Sequence, residues 1–215
     1  MKNPILKIVG ALAIVGGLFW FGANYETKKE EKQVAEKVSK NQDKLIRPYS
    51  QTLGPEDAEV TLVEFMDPEC EACGAMHPIV KNLMEEYSGK IRLVIRYLPL
   101  HKNSVYAATA LEIARGEGKY WQALDVLFSK QNEWASHHAP RPELIKGYMD
   151  QLGVDISYLE SIVNDKTRQQ IDQDREDATA LGIRGTPTFF VNGAKLNQIG
   201  YEPLKKAIEA ALHKS

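Results

Sequence analysis

Two cysteines set where a strand gives way to a helix constrain this chain more than any other feature. Val60-Thr61-Leu62-Val63-Glu64-Phe65 is nearly continuous in apolar side chains, the pattern of a central strand covered on both faces. Cys70-Glu71-Ala72-Cys73 follows it. Ala75, Ile79, Val80, Leu83 and Met84 then recur at helical spacing, so Cys70 to Glu86 is expected to form a helix with one core-facing stripe. Ile91 to Tyr97 supplies a second strand, whose Arg92 and Arg96 point to less complete cover. Strand, helix and strand in this order make a βαβ unit with parallel strands and a right-handed crossover. The chain has 2 cysteines, and a bridge across so short a loop restricts the unfolded chain little. Chemistry is the better use for such a pair.

At 215 residues the chain is long enough to bury a core without staples. Its 27 basic and 29 acidic side chains give a net charge of -2, which excludes a broad positive field for nucleic acid. Beyond the βαβ unit the sequence is largely helical between Ser104 and Leu181. The segments expected are Ser104 to Arg115, Tyr120 to Ser129, Pro142 to Leu152, Tyr158 to Asn164 and Thr167 to Leu181. Thr188 to Val191 then reads as a strand, Asn192-Gly193 as a hairpin turn, and Lys195 to Ile199 as its partner. Glu202 to Leu212 closes the chain as an amphipathic helix. The order predicts an α/β fold: a mixed sheet flanked by helices, with a helical subdomain inserted at about 104–181.

From Ile8 to Phe21 no charged residue occurs, and Lys7 can extend its stem to a head-group layer. Trp20 and Tyr25 stand where interfacial aromatics are favoured. A small-residue processing site is missing after Phe21, so residues 1–25 are read as a retained signal-anchor or transmembrane helix. Residues 26–47 read as a charged helical spacer with a weak self-association surface, and the compact domain is placed at 48–215.

A CxxC that follows a strand and opens a helix has the context of a redox motif. Free amides of the first turn and the helix dipole favour a thiolate at Cys70, the expected nucleophile, which leaves Cys73 to resolve. Glu71, with Asp67 and Glu69 nearby, opposes that charge and is expected to make the pair less oxidising than a basic residue at 71 would. Glu64 interrupts an apolar strand, where a carboxylate is expensive to bury without a purpose. Beneath the cysteines it would take the proton of Cys73, its pKa raised by desolvation. His77 lies one helical turn beyond Cys73, where it would modulate the local field. A zinc site wants four ligands, and only Cys70, Cys73 and His77 cluster, with Met76 as a soft addition; copper binding is the metal alternative, and no resident metal or cofactor is expected. Trp121, Leu124, Leu127 and Phe128 form a stripe read as core, and His101 is read as a loop-forming residue.

Taken together, Val63-Glu64-Phe65, Cys70-Glu71-Ala72-Cys73, Arg96-Tyr97-Leu98-Pro99-Leu100-His101, the helical block and Gly182-Ile183-Arg184-Gly185-Thr186-Pro187-Thr188-Phe189 resemble the DsbA-type branch of the thioredoxin superfamily. The likeness runs from Pro48 to His213. It implies a thioredoxin-like fold with a helical insertion, Cys70 as the exposed reactive thiol, Cys73 as the resolving one, and Glu64 as the buried acid beside them. It further implies a cis Pro187, with Thr186 presenting its backbone to an extended substrate peptide. Glu-Ala between the cysteines departs from the Pro-His of the best-known oxidases.

The activity expected is thiol–disulfide exchange that introduces disulfides into reduced extracytoplasmic proteins. The alternatives are a reductase or isomerase serving a specific pathway, and a copper-binding protein built on a redox scaffold. An oxidising pair is maintained outside the cytoplasm, so the catalytic domain is placed in the periplasm or outside a bacterial cell, held at the membrane by the N-terminal helix. The partners expected are reduced or misoxidised secreted proteins and a membrane redox protein that recycles the pair.

Overall fold

The computed structural model describes residues 29, 32–33, 35–136, 138–159 and 166–213. The expected anchor of residues 1–25 lies outside them, as does most of the helix expected from Tyr158 to Asn164. Among the described residues no helix is long and apolar enough to cross a membrane.

Strands β1 (Gln51–Leu53), β2 (Val60–Met66), β3 (Ile91–Tyr97), β4 (Thr188–Val191) and β5 (Ala194–Lys195) form a 5-stranded sheet in the order β1-β3-β2-β4-β5. The apolar run of β2 explains its central place. It pairs with β3 in parallel, from Val60 opposite Ile91 to Met66 opposite Tyr97, and with β4 in antiparallel fashion. Helix α1 (Glu71–Glu86) is the crossover between β2 and β3. Helices α2 (Ser104–Gly116), α3 (Tyr120–Ser129), α4 (Gln131–Trp134), α5 (Leu144–Gln151) and α6 (Lys166–Ala180) separate β3 from β4, and α7 (Tyr201–Leu212) ends the fold. This is the α/β, thioredoxin-like mixed sheet with a helical insertion that the sequence predicts.

Alternation along β2 sends its side chains into two cores. Leu62 and Met66 join Val80 and Leu83 of α1, Leu93 and Ile95 of β3, and Leu124 and Leu127 of α3. Val63 and Phe65 face the other way, with Val94, Leu98, Ala178, Leu181, Ile183 and Phe190. Val38 and Leu45, within the stretch expected to be a spacer, are buried in this second core. Glu64 shares its parity with Leu62 and Met66, so it enters the core roofed by α1 and α3.

Three expectations change, and two short elements are added. Arg96 was read as a sign of poor cover on β3, yet it is fully buried. Its Nε donates to Asp174 Oδ1 at 2.9 Å, and its Nη2 reaches Asp174 Oδ1 at 2.6 Å and Asp177 Oδ2 at 2.7 Å. Arg47 adds a second cation at 2.6 Å from Asp177 Oδ1. The strand expected from Lys195 to Ile199 stops at Lys195, because after Leu196 N–H bonds Phe189 O at 2.9 Å the chain leaves the ladder and Ile199 is exposed. The helix expected from Pro142 begins at Leu144, after a turn in which Ile145 N–H bonds Pro142 O at 3.1 Å. Short β1 and α4, without a periodic apolar signal, were not anticipated. Asn192 and Gly193 form the hairpin turn with φ of 46° and 80°, as two-residue turns of this kind require.

Candidate active site

Three chain segments meet where β2 ends. Leu98 N–H bonds Met66 O at 2.8 Å, holding the end of β2 beside the end of β3. Asp67, fully buried, then joins the two exits. Its Oδ1 accepts Glu69 N–H at 2.9 Å, while Oδ2 accepts Leu100 N–H at 2.8 Å and faces His101 Nδ1 at 2.7 Å. Glu69 accepts Asn103 N–H at 2.6 Å and Asn103 Nδ2–H at 2.8 Å. The acids expected to burden the cysteines electrostatically thus hold the loop in shape.

Cys70 is the N-cap of α1, with φ −75° and ψ 120°, so the helix starts one residue later than expected. From the insertion, Gln131 Nε2 donates to both Pro68 O and Cys70 O at 2.9 Å. Gly74 makes room for this clamp: a Cβ there would lie 2.4 Å from Gln131 Oε1. Opposite, the Thr186–Pro187 bond is cis, and Cys70 Sγ–H points to Thr186 O at 3.4 Å.

The two thiols are free and differ in setting. Cys70 keeps 9% of its surface exposed and Cys73 none. A hydrogen bond from the Cys73 thiol pulls Cys70 down to about 5; burial opposes this, and the Thr186 side chain and the Cys73 and Ala72 amides assist. Thr186 Oγ1 is buried without a hydrogen-bond partner among the described residues, so a thiolate at Cys70 gives its proton a place to point. Burial pushes Cys73 strongly up, and the bond to Cys70 and the charge of Glu64 add to it. Asp67 N–H, 3.5 Å from Cys73 Sγ, works the other way.

Glu64 is 5% exposed. Burial first, and then the charge on Cys70, raise its pKa to about 8. Its carboxyl borders a cavity of about 250 Å³ that Met66, His77, Val80, Trp121 and Phe128 also line.

The structure therefore gathers Cys70, Cys73, Thr186, Pro187 and Glu64 around one helix start. Glu71 stands on the exposed face of α1. His77 reaches away to α3, where its Nε2 lies 2.6 Å from Asp125 and its ring leans on Phe128. Burial lowers its pKa against the pull of Asp125. Sequence reasoning gave Asp67 a role only in the local field and His101 one only in the loop, and it missed Gln131 altogether. Burial lowers the His101 pKa, but Asp67 outweighs it and, with the charge on Cys70, holds the imidazole above its ordinary value. Asp67 and His101 are 34 positions apart, and Gln131 is 61 from Cys70, so only the fold brings them together. Among the described residues no three His, Cys, Asp or Glu side chains converge on a metal position.

Fold and cysteine pair together define a thiol–disulfide oxidoreductase domain of thioredoxin-like fold. The family model described as Thioredoxin matches residues 47–210, so the chain belongs to the thioredoxin family. Among solved structures it is similar to a thioredoxin-like oxidoreductase from Silicibacter pomeroyi DSS-3, at 28% identity and TM-score 0.69, covering 81% of this chain and 99% of that one. BdbD from Bacillus subtilis, in its oxidised form, matches at 25% identity and TM-score 0.66, covering 76% of this chain and 93% of that one. The catalytic domain of ScsC from Proteus mirabilis shares the fold, with TM-score 0.69 at 20% identity over 83% of this chain and 98% of that one. Among curated proteins, the Na(+)/H(+) antiporter NhaA of Herminiimonas arsenicoxydans is 35% identical over 144 residues, 66% of this chain and 22% of the antiporter. NhaA 1 of Salinispora arenicola is 35% identical over 163 residues, 74% of this chain and 24% of its own length. The chain thus spans less than a quarter of these curated relatives.

Proposed function

We propose that this chain introduces disulfides into reduced polypeptides outside the cytoplasm, with Cys70 and Cys73 as the cycling pair. The observation that carries this reading is the opposed setting of the two thiols: Cys70 is drawn down to about 5 at the edge of the surface, while Cys73 is pushed up in the core. A pair that stabilises one thiolate favours its own reduced form and is therefore a strong oxidant.

In the cycle, a substrate thiolate attacks Cys70 Sγ of the oxidised pair. The S–S bond breaks, a mixed disulfide forms at Cys70, and the electron pair goes to Cys73, which takes the proton of the Glu64 carboxyl. A second substrate thiolate then attacks the substrate sulfur of the mixed disulfide and releases Cys70 as a thiolate. The polypeptide is oxidised by two electrons and the pair is reduced. On recycling, Glu64 takes the proton back as Cys73 attacks; a carboxyl near 8 serves both directions. Thr186, whose carbonyl faces Cys70 Sγ at 3.4 Å, presents backbone to the substrate chain beside Pro187, and main-chain pairing accepts many sequences.

The substrates in this reading are reduced or misoxidised secreted proteins. A membrane redox partner recycles the pair, residues 1–25 hold the domain at the membrane, and the part of the charged stretch 26–47 that precedes Val38, the first of its residues buried in the domain, spaces it from the surface. Glu71 and His77 act as modifiers of the local field. Equilibrating the full chain against glutathione buffers tests the direction: a potential above about −200 mV supports the oxidase, and one near the roughly −270 mV of a reducing thioredoxin overturns it. Glu71, an acid between the cysteines, favours a second reading as reductase or isomerase, and the same titration separates the two. Replacing Cys70 by Ser should abolish exchange with a reduced two-cysteine peptide.

A further inference from the structure

The Thr186–Pro187 loop has a second neighbour that the exchange chemistry does not use. An open cavity of about 450 Å³ lies against it, lined by Gln33, Lys37, Arg184, Thr186, Pro187 and Lys195 among others. Three of these are cations, and no carboxylate lines the cavity among the described residues. None of the three forms an ion pair with a described residue. Its walls are fixed: Ile183 N–H bonds Ala178 O at 2.8 Å, Thr188 Oγ1 donates to Gly185 O at 2.8 Å, and Lys195 belongs to β5, paired with Phe190.

A half-buried lysine beside an exposed arginine is an unfavourable arrangement without an anion, since the lysine loses water and the two cations repel each other. Burial, and then Arg184, lower the pKa of Lys195. An anion between the two would relieve both effects. The patch also stands out against the chain's net charge of -2, so its field is local.

We propose that this cavity is an anion subsite that takes the side-chain carboxylate of a polypeptide bound along the Thr186–Pro187 loop, so that cysteines flanked by Asp or Glu are preferred. The inference rests on the exchange reading and adds a substrate class to it. The same loop faces Cys70 Sγ on one side and walls the cavity on the other. A polypeptide laid along it in extended form advances about 3.3 Å per residue and turns alternate side chains to opposite sides. The residues flanking the reacting cysteine are thus the ones that meet Arg184 and Lys195.

The test measures anisotropy of labelled, redox-inert peptides, with Ser in place of Cys and flanked by Glu, Gln or Lys, on the full chain at low salt. The Glu peptide should bind about 5-fold more tightly than the Gln peptide, as an accessible ion pair allows, and about 1 M salt should erase the difference. In an Arg184→Gln, Lys195→Gln double variant the Glu-to-Gln ratio should fall to about 1, and Lys195→Glu should reverse the preference toward the Lys peptide. Equal affinity of the Glu and Gln peptides for the native chain overturns the proposal, as does a ratio that survives in the double variant. Inorganic phosphate is the arm for a free anion: if it binds the cavity while Glu gives no advantage, the polypeptide carboxylate is overturned. Cysteine-containing versions of the peptides keep the two readings apart. Exchange without a Glu preference sinks the subsite alone, whereas a Glu preference in binding without any exchange sinks the enzyme reading alone.

Discussion

Two neighbouring places on the sheet bury charge and treat it in opposite ways. Glu64 on β2 lies opposite Ile95 of β3, and the next residue along, Phe65, lies opposite Arg96, so the two charged side chains leave the sheet on opposite faces. Around Arg96 every charge is answered. Asp174 accepts from its guanidinium, from Tyr97 N–H at 2.8 Å and from Tyr49 Oη–H at 2.8 Å, and Asp177 is shared between Arg96 and Arg47. Burial raises Asp174 against the pull of Arg96; for Asp177 burial is outweighed by Arg47 and Arg96, which hold it low. Glu64 has burial and a negative neighbour, with no cation among the described residues acting on it. The first arrangement fixes α6 to the sheet. The second leaves a proton poised to move. A buried charge that is satisfied holds structure together, whereas one left unsatisfied is available to chemistry.

The largest effect expected is on the satisfied side. Arg96→Met would strand Asp174 and Asp177 in the core and should cost about 3–5 kcal/mol, the usual loss when one partner of a buried network is removed. Urea unfolding measures it. A change below about 1 kcal/mol would mean that Arg47 alone satisfies both acids, and the contrast between the two faces would collapse.

Glu64→Gln should behave in the opposite sense, costing rate while relieving strain. Loss of the proton relay should slow resolution of a mixed disulfide by about 100-fold and remove a pH inflection near 8 from that step, both read by stopped flow. Stability gives an independent check. The folded pKa of about 8 lies above the ordinary 4.5, so the folded chain binds the extra proton between those values. Native stability therefore falls as pH rises through that window, and the full penalty is present above it. In the variant this slope is absent, so the stability difference should grow by a few kcal/mol from about pH 5 to about pH 9 in the variant's favour. Cys70 titrates in both proteins and cancels to first order. A flat difference would place water or a cation at Glu64.

Much of this contrast was legible in the sequence, and for a physical reason. Val60 to Phe65 and Cys70 to Glu86 carry local periodicity, so strand, crossover helix and the cysteines at the helix start follow from neighbouring residues alone. Glu64 was conspicuous because it broke an apolar run. Arg96 broke one too, and there the inference failed: its partners, Asp174 and Asp177, lie 78 and 81 positions away, and no local pattern announces that a buried cation will be met. Separation in sequence, by 61 and 34 positions, likewise hid Gln131 and the bond between Asp67 and His101. Their side chains carry ordinary polar signals; pairing of β2 with β3 brings Asp67 to His101, and closure of the insertion over the sheet brings Gln131 to the redox loop.

Gln131 and Gly74 sharpen the comparison at a smaller scale, because here the satisfied groups are backbone carbonyls of the redox loop. Gly74→Ala sets a Cβ 2.4 Å from Gln131 Oε1 and should cost about 1–3 kcal/mol by overpacking. Gln131→Ala frees that space but leaves Pro68 O without its donor, at about 1–2 kcal/mol. A double-mutant cycle should show the two costs adding to more than the double variant loses. Strict additivity would mean that Gln131 turns aside and that the clamp is dispensable.

The smallest effect concerns how far structural pairing also serves the chemistry. His101 satisfies Asp67, which belongs to the loop scaffold, yet its imidazole is also coupled to the charge on Cys70. Held by Asp67 above its ordinary value, it is a cation over part of the range in which Cys70 ionises. His101→Gln keeps a side chain able to donate to Asp67 and removes the charge. The Cys70 pKa, followed by thiolate absorbance or by alkylation rate against pH, should then rise from about 5 by under about one unit. The rise is limited because His101 is 33% exposed at its side chain and solvent screens it, whereas the hydrogen bond from Cys73 is untouched. A thiolate destabilised to that degree is a poorer leaving group, so the variant's disulfide should also be less oxidising. An unchanged Cys70 titration would assign His101 to the scaffold alone and put it on the same side of the comparison as Arg96.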